Sequence, residues 1–364
     1  YRSHAIESGW EGKWMRRETT EWGSITRVNP FPGSDKRNLV RRALGFAGFS
    51  VLAGIASIRS GRVDAVIAMS PPLTLGLTGW GTHVIRRGPL IFNIQDVFPD
   101  AAVETGAITN RWVIAGARRL ERISYHRAAA VTALSADLGD NIAVKMRSSR
   151  RGRVRVIPNF VDTDAIRPQD RMTELRRELG IGSETVVLYA GNVGFSQSLE
   201  MVIAAAKALP LLTFVINGDG AARASLGDLA DGLANVRFSG YQPPERLSEV
   251  LATGDVHLVP LKAGLGRVSV PSKTYSILAA GRPVLAAIDP GTEVPRIIAE
   301  SGGGVCVPPD DVAAFVSALQ RLADDPAGCE QMAVSGRRWV EQAASPAVVA
   351  GAYADLIVEL NQRR

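Results

Sequence analysis

The hydrophobic pattern alternates between short apolar runs of strand length and longer stretches with helical spacing. From residue 64 onward, apolar runs at 65–69, 90–94, 129–133 and 154–157 are separated by helical segments, among them 110–126 and 135–146. Pro71-Pro72 reads as a helix start, and Ser135 is placed to cap the helix that follows it. A cluster of turn residues, Pro158-Asn-Phe-Val-Asp162-Thr-Asp164-Ala-Ile-Arg-Pro168, marks a boundary. A second series then begins, with strands at 185–190, 212–216, 236–238, 256–259, 284–288 and near 305–307. Helices are predicted at 198–209, 244–252, 293–300 and onward to the C-terminus. Such alternation predicts an α/β protein with parallel sheets covered on both faces, whose ligands lie beyond the carboxyl ends of the strands. The expected architecture is two Rossmann-like, doubly wound domains facing a cleft, over 1–160 and 161–345. A terminal helix over 346–364 is expected to pack back on the first domain.

Before residue 64 the pattern differs. Residues 1–35 are rich in Trp, Arg, Gly and Pro, with one short strand at 25–28. Lys36-Arg37 and Arg41-Arg42 then lead into a helix at 43–58 that is apolar almost all round. Its first reading is a core helix and its second a monotopic membrane contact. No uninterrupted run is long enough to span a bilayer. Charge sharpens the contrast. Of a net +6, residues 1–160 hold 24 Lys and Arg against 12 Asp and Glu, and the remainder is net acidic. The first half is therefore suited to something anionic, a membrane surface or a phosphorylated acceptor. Nucleic acid is disfavoured, because no aromatic RNA-binding motif, helix-turn-helix pattern or zinc spacing is present. Cys306 and Cys329 lack metal-like spacing and point to a reducing compartment. The expected location is cytoplasmic, peripheral on the inner face of the cell membrane.

Three loops could carry chemistry. Arg267-Val-Ser-Val-Pro271-Ser272-Lys273 places two cations beside a helix start, with Pro271 pre-setting the backbone and Ser272 as its cap. A helix start with cations suits a phosphate or diphosphate, though an ordinary surface turn would look the same. Gly191-Asn192-Val193-Gly194 follows an apolar strand and precedes a helix, where glycine lets a backbone approach a phosphate closely. Alone, such a turn serves equally as a connector. Gly218-Asp219-Gly220 is similar, and all three loops should leave one edge of the same sheet. Gln95 and Asp96 end a strand in the first half, either as site residues or as a cap. Asp162-Thr-Asp164 reads as a capping turn rather than a metal motif, and Asp310-Asp311 as a helix opening. The four histidines are dispersed, His257 lying inside an apolar strand. The nucleophile pattern GxSxG and the Walker pattern are absent.

Taken together, Tyr189-Ala-Gly-Asn-Val-Gly194, Val215-Ile-Asn-Gly-Asp-Gly220, Asp255-Val-His-Leu-Val-Pro260 and Pro271-Ser-Lys…Ala-Ala-Gly-Arg-Pro-Val resemble glycosyltransferase family 4. Asn93-Ile-Gln-Asp-Val-Phe-Pro99, Val131-Thr-Ala-Leu-Ser135 and Val156-Ile-Pro-Asn-Phe-Val-Asp162 extend the likeness toward its colanic-acid and O-antigen branch. The resemblance implies a GT-B fold, an acceptor-side first domain, a sugar-nucleotide-binding second domain and retention of configuration without metal or cofactor. By position it implies that Gly191, Asn192 and Gly194 face the donor phosphates, and that Arg267 and Lys273 neutralise the leaving diphosphate. Gly218, Asp219, Gly220 and Tyr241 would lie near the nucleoside. Pro271 and Ser272 would shape the donor loop, and Glu293 would hold a sugar or ribose hydroxyl.

Three departures stand out. Many family members carry paired glutamates at the positions of Val268 and Ser276, and many a histidine at that of Gln95. Similar proteins also begin with a strand, a glycine-rich turn, a helix and a second strand, a unit this chain is expected to lack. The resulting expectation is a glycosyltransferase moving a hexosyl or N-acetylhexosaminyl group from a UDP- or GDP-sugar to a lipid-linked or saccharide acceptor of a bacterial surface polysaccharide or glycolipid. Two alternatives stay open: a sugar-nucleotide 2-epimerase, and a non-catalytic nucleotide-binding scaffold.

Overall fold

Strands apolar at consecutive positions lie at the centre of two parallel sheets, and this decides the layering of each half of the chain. The computed structural model describes residues 13–29, 39–104, 108–267 and 270–363. Two units result, one formed by 1–133, 139–156 and 355–364, the other by 134–138 and 157–354.

The first unit opens with a hairpin of β1 (Met15–Thr20) and β2 (Gly23–Val28), paired antiparallel with Met15 opposite Val28. Its first strand has no apolar run and was invisible to periodicity; the β2 ladder and an Arg27–Glu18 pair at 3.2 Å hold it. Then follow α1 (Leu39–Ile58), β3 (Val66–Ser70), α2 (Leu75–Arg86), β4 (Leu90–Ile94), α3 (Asp100–Glu104), α4 (Arg111–Arg127), β5 (Ala130–Ala133), α5 (Ala136–Lys145) and β6 (Val154–Val156). The sheet order is β3-β4-β5-β6, all parallel. Pro71-Pro72 do not begin α2. They form the preceding turn, where Pro72 O accepts from Leu75 N at 3.0 Å. Gly76 and Gly79 let α2 lie close on the sheet side, since a Cβ at Gly79 would stand 2.7 Å from Leu90 Cδ1. Asn110 caps α4 through Trp112 N at 2.9 Å, and Ser135 Oγ accepts from Leu138 N at 3.2 Å. Contrary to its first reading, α1 is not enclosed by a core. One face packs on α2 while Leu44, Val51, Ile55 and Ile58 are exposed.

The second unit contains α6 (Glu174–Glu178), β7 (Val186–Ala190), α7 (Leu199–Ala208), β8 (Thr213–Asn217), α8 (Arg223–Leu229), β9 (Val236–Ser239), α9 (Leu247–Thr253) and β10 (Val256–Pro260). It continues with α10 (Lys273–Ala279), β11 (Val284–Ala287), α11 (Glu293–Ser301), β12 (Gly304–Val307), α12 (Val312–Asp324), α13 (Pro326–Ala343) and α14 (Pro346–Gln362), whose last residues belong to the first unit. The parallel order is β12-β11-β10-β7-β8-β9. Along β7, Val187 and Tyr189 enter one core while Val186 and Leu188 enter another, so both faces of the strand are buried. His257 in β10 is structural: buried, it donates from Nε2 to Leu251 O at 2.8 Å, and burial pushes its pKa down to about 3. The stretch Pro326–Gln362 is long and apolar enough by length and composition to cross a membrane, which the sequence reading did not anticipate. It is two helices rather than one. Within α13, Arg337 donates to the carbonyls of Thr163, Ile166 and Ala279.

The entry into β7 and β10 is tied by a buried ion pair. Arg176 is fully buried, donating to Thr253 O at 3.0 Å, Gly182 O at 2.9 Å and Asp255 Oδ2 at 2.6 Å. Asp255 also accepts from Val186 N at 2.8 Å and from the more exposed Arg171 at 2.7 Å. Removing one partner of a buried pair strands the other charge, whereas an exposed pair contributes little. Asp255→Ala should therefore lower unfolding stability by about 3–5 kcal/mol, and Arg171→Ala by no more than about 1 kcal/mol. Urea unfolding curves check the ordering; equal losses would show that burial does not set it.

Candidate active site

The strand order reverses between β7 and β10: β8 and β9 extend the sheet on one side, β11 and β12 on the other. Loops leaving neighbouring strands diverge at such a switch point and leave a crevice at the carboxyl edge. The three loops singled out in the sequence all leave that edge, after β7, β8 and β10.

Two of them interlock through their backbones. Gly191 N donates to Asn217 O at 2.9 Å and Val193 N to Asp219 O at 3.0 Å. Gly218, at φ +143°, could carry a Cβ only 1.8 Å from Gly191 O, and one on Gly220 would lie 2.3 Å from Val193 O. These glycines are required by that approach. Few amides of the Gly191-to-Gly194 turn remain to meet a phosphate: Gly194 N is held by Gln197 Oε1 at 3.1 Å, so three of its four N–H groups are engaged. Among the described residues, only the Asn192 N–H of this turn has no partner. Asn192 O accepts from Tyr189 OH at 2.6 Å. Asp219 bonds the next amide, Gly220 N, at 2.8 Å, and its carbonyl accepts from the half-exposed Tyr241 hydroxyl at 3.1 Å.

Lys273, the first residue of α10, brings its ammonium into this corner. Nζ stands 3.8 Å from the Tyr189 ring centroid and 3.1 Å from where a Gly191 Cβ would be. Burial lowers its pKa from 10.5 to about 7, and among the described residues no carboxylate lies within salt-bridge reach of it. An ammonium held over an aromatic face, without a carboxylate, is a ready partner for an anion. Ser272 does not cap α10. Its backbone is already helical (φ −61°, ψ −19°), whereas a cap is extended, and Pro271 O accepts from Thr274 N and Oγ1 instead.

Arg267 is exposed on the loop after β10; Val268, the position that the resemblance matches to the first of the paired glutamates, lies outside the described residues. The loop is anchored by two aspartates: Asp289, which sequence reasoning missed, and Asp310, which it read only as part of a helix opening. Asp289 accepts from Gly264 N at 2.9 Å and Gly266 N at 3.0 Å. Asp310 accepts from Ala263 N at 3.1 Å and from Ser198 Oγ at 2.5 Å, so it does not share the capping role of Asp311, which bonds Ala314 N. Their position directly after predicted strands was the available signal. Glu293 opens α11 and is held at Oε2 by Arg296 at 2.9 Å, and Arg296 also meets Asp137 at 2.7 Å. Burial raises the Glu293 carboxyl above its usual range, with Arg296 opposing. Tyr275 OH, next to Ser276 in sequence, is buried without a partner.

Gln95 and Asp96 belong to the other unit. Gln95 Nε2 donates to Asn93 Oδ1 at 2.6 Å, and Asn93 Nδ2 donates to Thr132 Oγ1 at 3.1 Å, so Gln95 is positioned by neighbouring strand ends and caps no helix. Asp162 accepts from Asp164 N and Ala165 N, making the DxD stretch a turn. Among the described residues no group of three or more His, Cys, Asp or Glu is arranged to hold a metal.

Comparison with known proteins matches residues 8–159 to the family profile "Glycosyl transferase 4-like domain" and residues 184–325 to "Glycosyl transferases group 1". The chain is 30% identical over 305 residues to a probable glycosyltransferase, WbjE, of Pseudomonas aeruginosa, covering 81% of this chain and 74% of that one. It is 28% identical over 337 residues to the putative colanic acid biosynthesis glycosyl transferase WcaI of Escherichia coli (86% and 79%). Among solved structures, sucrose-phosphate synthase of Thermosynechococcus elongatus superposes with a TM-score of 0.78 at 18% identity, over 96% of this chain and 86% of that one. Anabaena HepE, solved with UDP-glucose, gives 0.68 at 16% identity (86% and 82%). The parallel-sheet units, the glycine turns at the switch point and these matches lead to one assignment: the chain belongs to the group 1, family 4 glycosyltransferases of GT-B fold, of the colanic-acid and O-antigen type.

Proposed function

We propose that this glycosyltransferase moves a sugar, with retention of configuration and without a metal, from a UDP- or GDP-sugar to a lipid-linked or saccharide acceptor in surface polysaccharide or glycolipid synthesis. The observation that carries the reading is the Lys273 ammonium, held between Tyr189 and Gly191 at the switch point with no carboxylate among the described residues to neutralise it. As the bond from the sugar C1 to the diphosphate breaks, negative charge grows on the departing phosphate. Lys273, Arg267 and the free Asn192 N–H would be aimed at that charge, which is the electrostatic work such a transfer needs. Glu293, whose Oε1 has no partner among the described residues, suits a hydroxyl of the donor. Gln95 and Asp96 are proposed to meet the acceptor, whose oxygen bonds to C1 as the C1–diphosphate bond breaks and whose proton passes to the departing diphosphate oxygen. The names of HepE and WcaI, a UDP-glucose complex and a colanic-acid enzyme, support this donor and product class.

The decisive experiment is calorimetric titration with UDP, GDP, ADP and dTDP, with and without EDTA. It is followed by incubation of the matching nucleotide sugar with lipid-linked acceptors and NMR assignment of the new anomeric centre. Nucleotide release coupled to a new glycoside of retained configuration is expected. An altered sugar formed without acceptor would establish the epimerase instead, and a folded protein that binds no nucleotide would end the donor-site assignment. Lys273→Met should weaken nucleotide binding about 10- to 100-fold, the worth of a charge-assisted bond; unchanged affinity removes Lys273 from the site.

Proton linkage gives a separate check. The free ammonium titrates near pH 7, and a bound diphosphate, favouring the charged form, raises that pKa. Affinity for a nucleotide sugar should hold below pH 7 and fall as pH rises above it, with proton uptake on binding near pH 8 that disappears in Lys273→Met. Calorimetry in buffers of different ionisation enthalpy measures that uptake. Gly218→Ala must push against Gly191 O, so it should lower both thermal stability and nucleotide affinity; binding at wild-type strength would mean that the turns can separate without consequence.

A further inference from the structure

α1 is built inside out. Toward α2 it presents hydroxyls and glycine: Ser50 Oγ lies 2.7 Å from Thr74 Oγ1, Ser57 Oγ lies 2.6 Å from Thr82 Oγ1, and Gly54 sits beside Thr78. Away from the protein it presents Leu44, Ala47, Val51, Ile55 and Ile58, spaced three or four apart and therefore on one stripe, with Val51 63% exposed. A helix docked on a water-soluble core does the reverse, turning leucine and valine inward and serine outward. Small and hydroxyl residues between helices, with aliphatic side chains outside, is the arrangement of helices that face lipid. The third side of α1 continues the theme. Between Phe49, Ala53 and Ala56 of α1 and Met15 and Val28 of the hairpin lies a mostly apolar groove of about 530 Å³, rimmed by Arg17 and Arg59. Trp14 and Trp22, at the two ends of β1, are 66% and 77% exposed.

The charge around this surface selects its partner. Lys13, Arg16, Arg17, Arg27, Arg59 and Arg62 are exposed there, against Glu21, Asp64 and Glu18, the last of which pairs with Arg16 and Arg27. We propose that the exposed stripe of α1, with the Trp-bearing hairpin beside it, docks onto an anionic lipid surface, the helix lying in the plane of the headgroups. The apolar part, Leu44–Ile58, is too short to cross a bilayer, which fits a helix that lies on the surface. Apolar side chains, flanking arginines and tryptophans supply the three terms of interfacial binding: burial, attraction to acidic headgroups and anchoring at their level.

The test is flotation of the full chain with vesicles of phosphatidylcholine alone and of phosphatidylcholine with phosphatidylglycerol. Binding to the anionic vesicles at least about tenfold stronger than to neutral ones, and weakened by salt, is expected. Val51→Glu with Ile55→Glu should lose at least about tenfold of that binding while leaving nucleotide affinity unchanged, since both side chains already meet solvent. Leu44→Gln, at the far end of the stripe, provides an independent loss should the double variant misfold. Arg59→Glu with Arg62→Glu should weaken binding to anionic vesicles and remove most of its salt dependence. The proposal is overturned if the wild type ignores anionic vesicles, or if the stripe variants float as well as the wild type. It is equally overturned if light scattering shows a lipid-free dimer that Val51→Glu dissociates, which would make this face an interface between two copies.

Discussion

The second unit depends on how closely two backbone turns approach at the carboxyl edge of its sheet. Gly191 O occupies the space where a side chain on residue 218 would be, and Val193 O the space of one on residue 220. That contact consumes most of the amides of the first turn in holding the second, so the loops are rigid rather than generous with donors. Rigidity is what a preorganised electrostatic site requires, because groups that need not reorient as charge develops are worth more. It also leaves the space above Gly191 empty of side chain. Lys273 fills the edge of that space from α10, and only a glycine there permits its ammonium to stand so near the strand end.

The cation loop obeys the same logic with side chains in place of backbone. Asp289 and Asp310 grip the amides of Ala263, Gly264 and Gly266, so Arg267 emerges from a fixed base although its own side chain is exposed. Those carboxylates are spent on backbone. The corner around Lys273 thus holds cations while the nearby acids are bound to backbone, the opposite of what stability alone would choose.

Much of this was legible because the chemistry follows from topology. Apolar runs locate the strands, and any loop after a parallel strand belongs to one edge, so the sequence alone groups Gly191, Gly218 and Lys273. Legibility failed where a residue's role depends on a distant partner. Asp289 looks like a turn residue until its partners, 23 and 25 positions earlier, are seen. Ser272 looks like a cap until its backbone proves helical. β1 has a polar sequence because it is held by its neighbour's ladder and needs no apolar run of its own. The sequence points to the glycine turns for phosphate approach, whereas the approach that fixes Gly218 and Gly220 is between the two turns themselves.

α1 shows the same limit in its plainest form. A helix that is apolar almost all round has no amphipathic signal, so periodicity cannot say which side faces the protein. The serines decide it. A serine hydroxyl gains little from solvent exposure but can bond a threonine across a close helix pair, and Ser50 and Ser57 do so at Thr74 and Thr82. Once these positions are committed to α2, helical geometry assigns the remaining faces: Phe49, Ala53 and Ala56 beside the hairpin, and Leu44, Val51, Ile55 and Ile58 outward. An aliphatic stripe left in water carries a cost that folding does not recover. The arginines flanking it, in a half of the chain carrying twice as many cations as acids, indicate which kind of surface removes that cost.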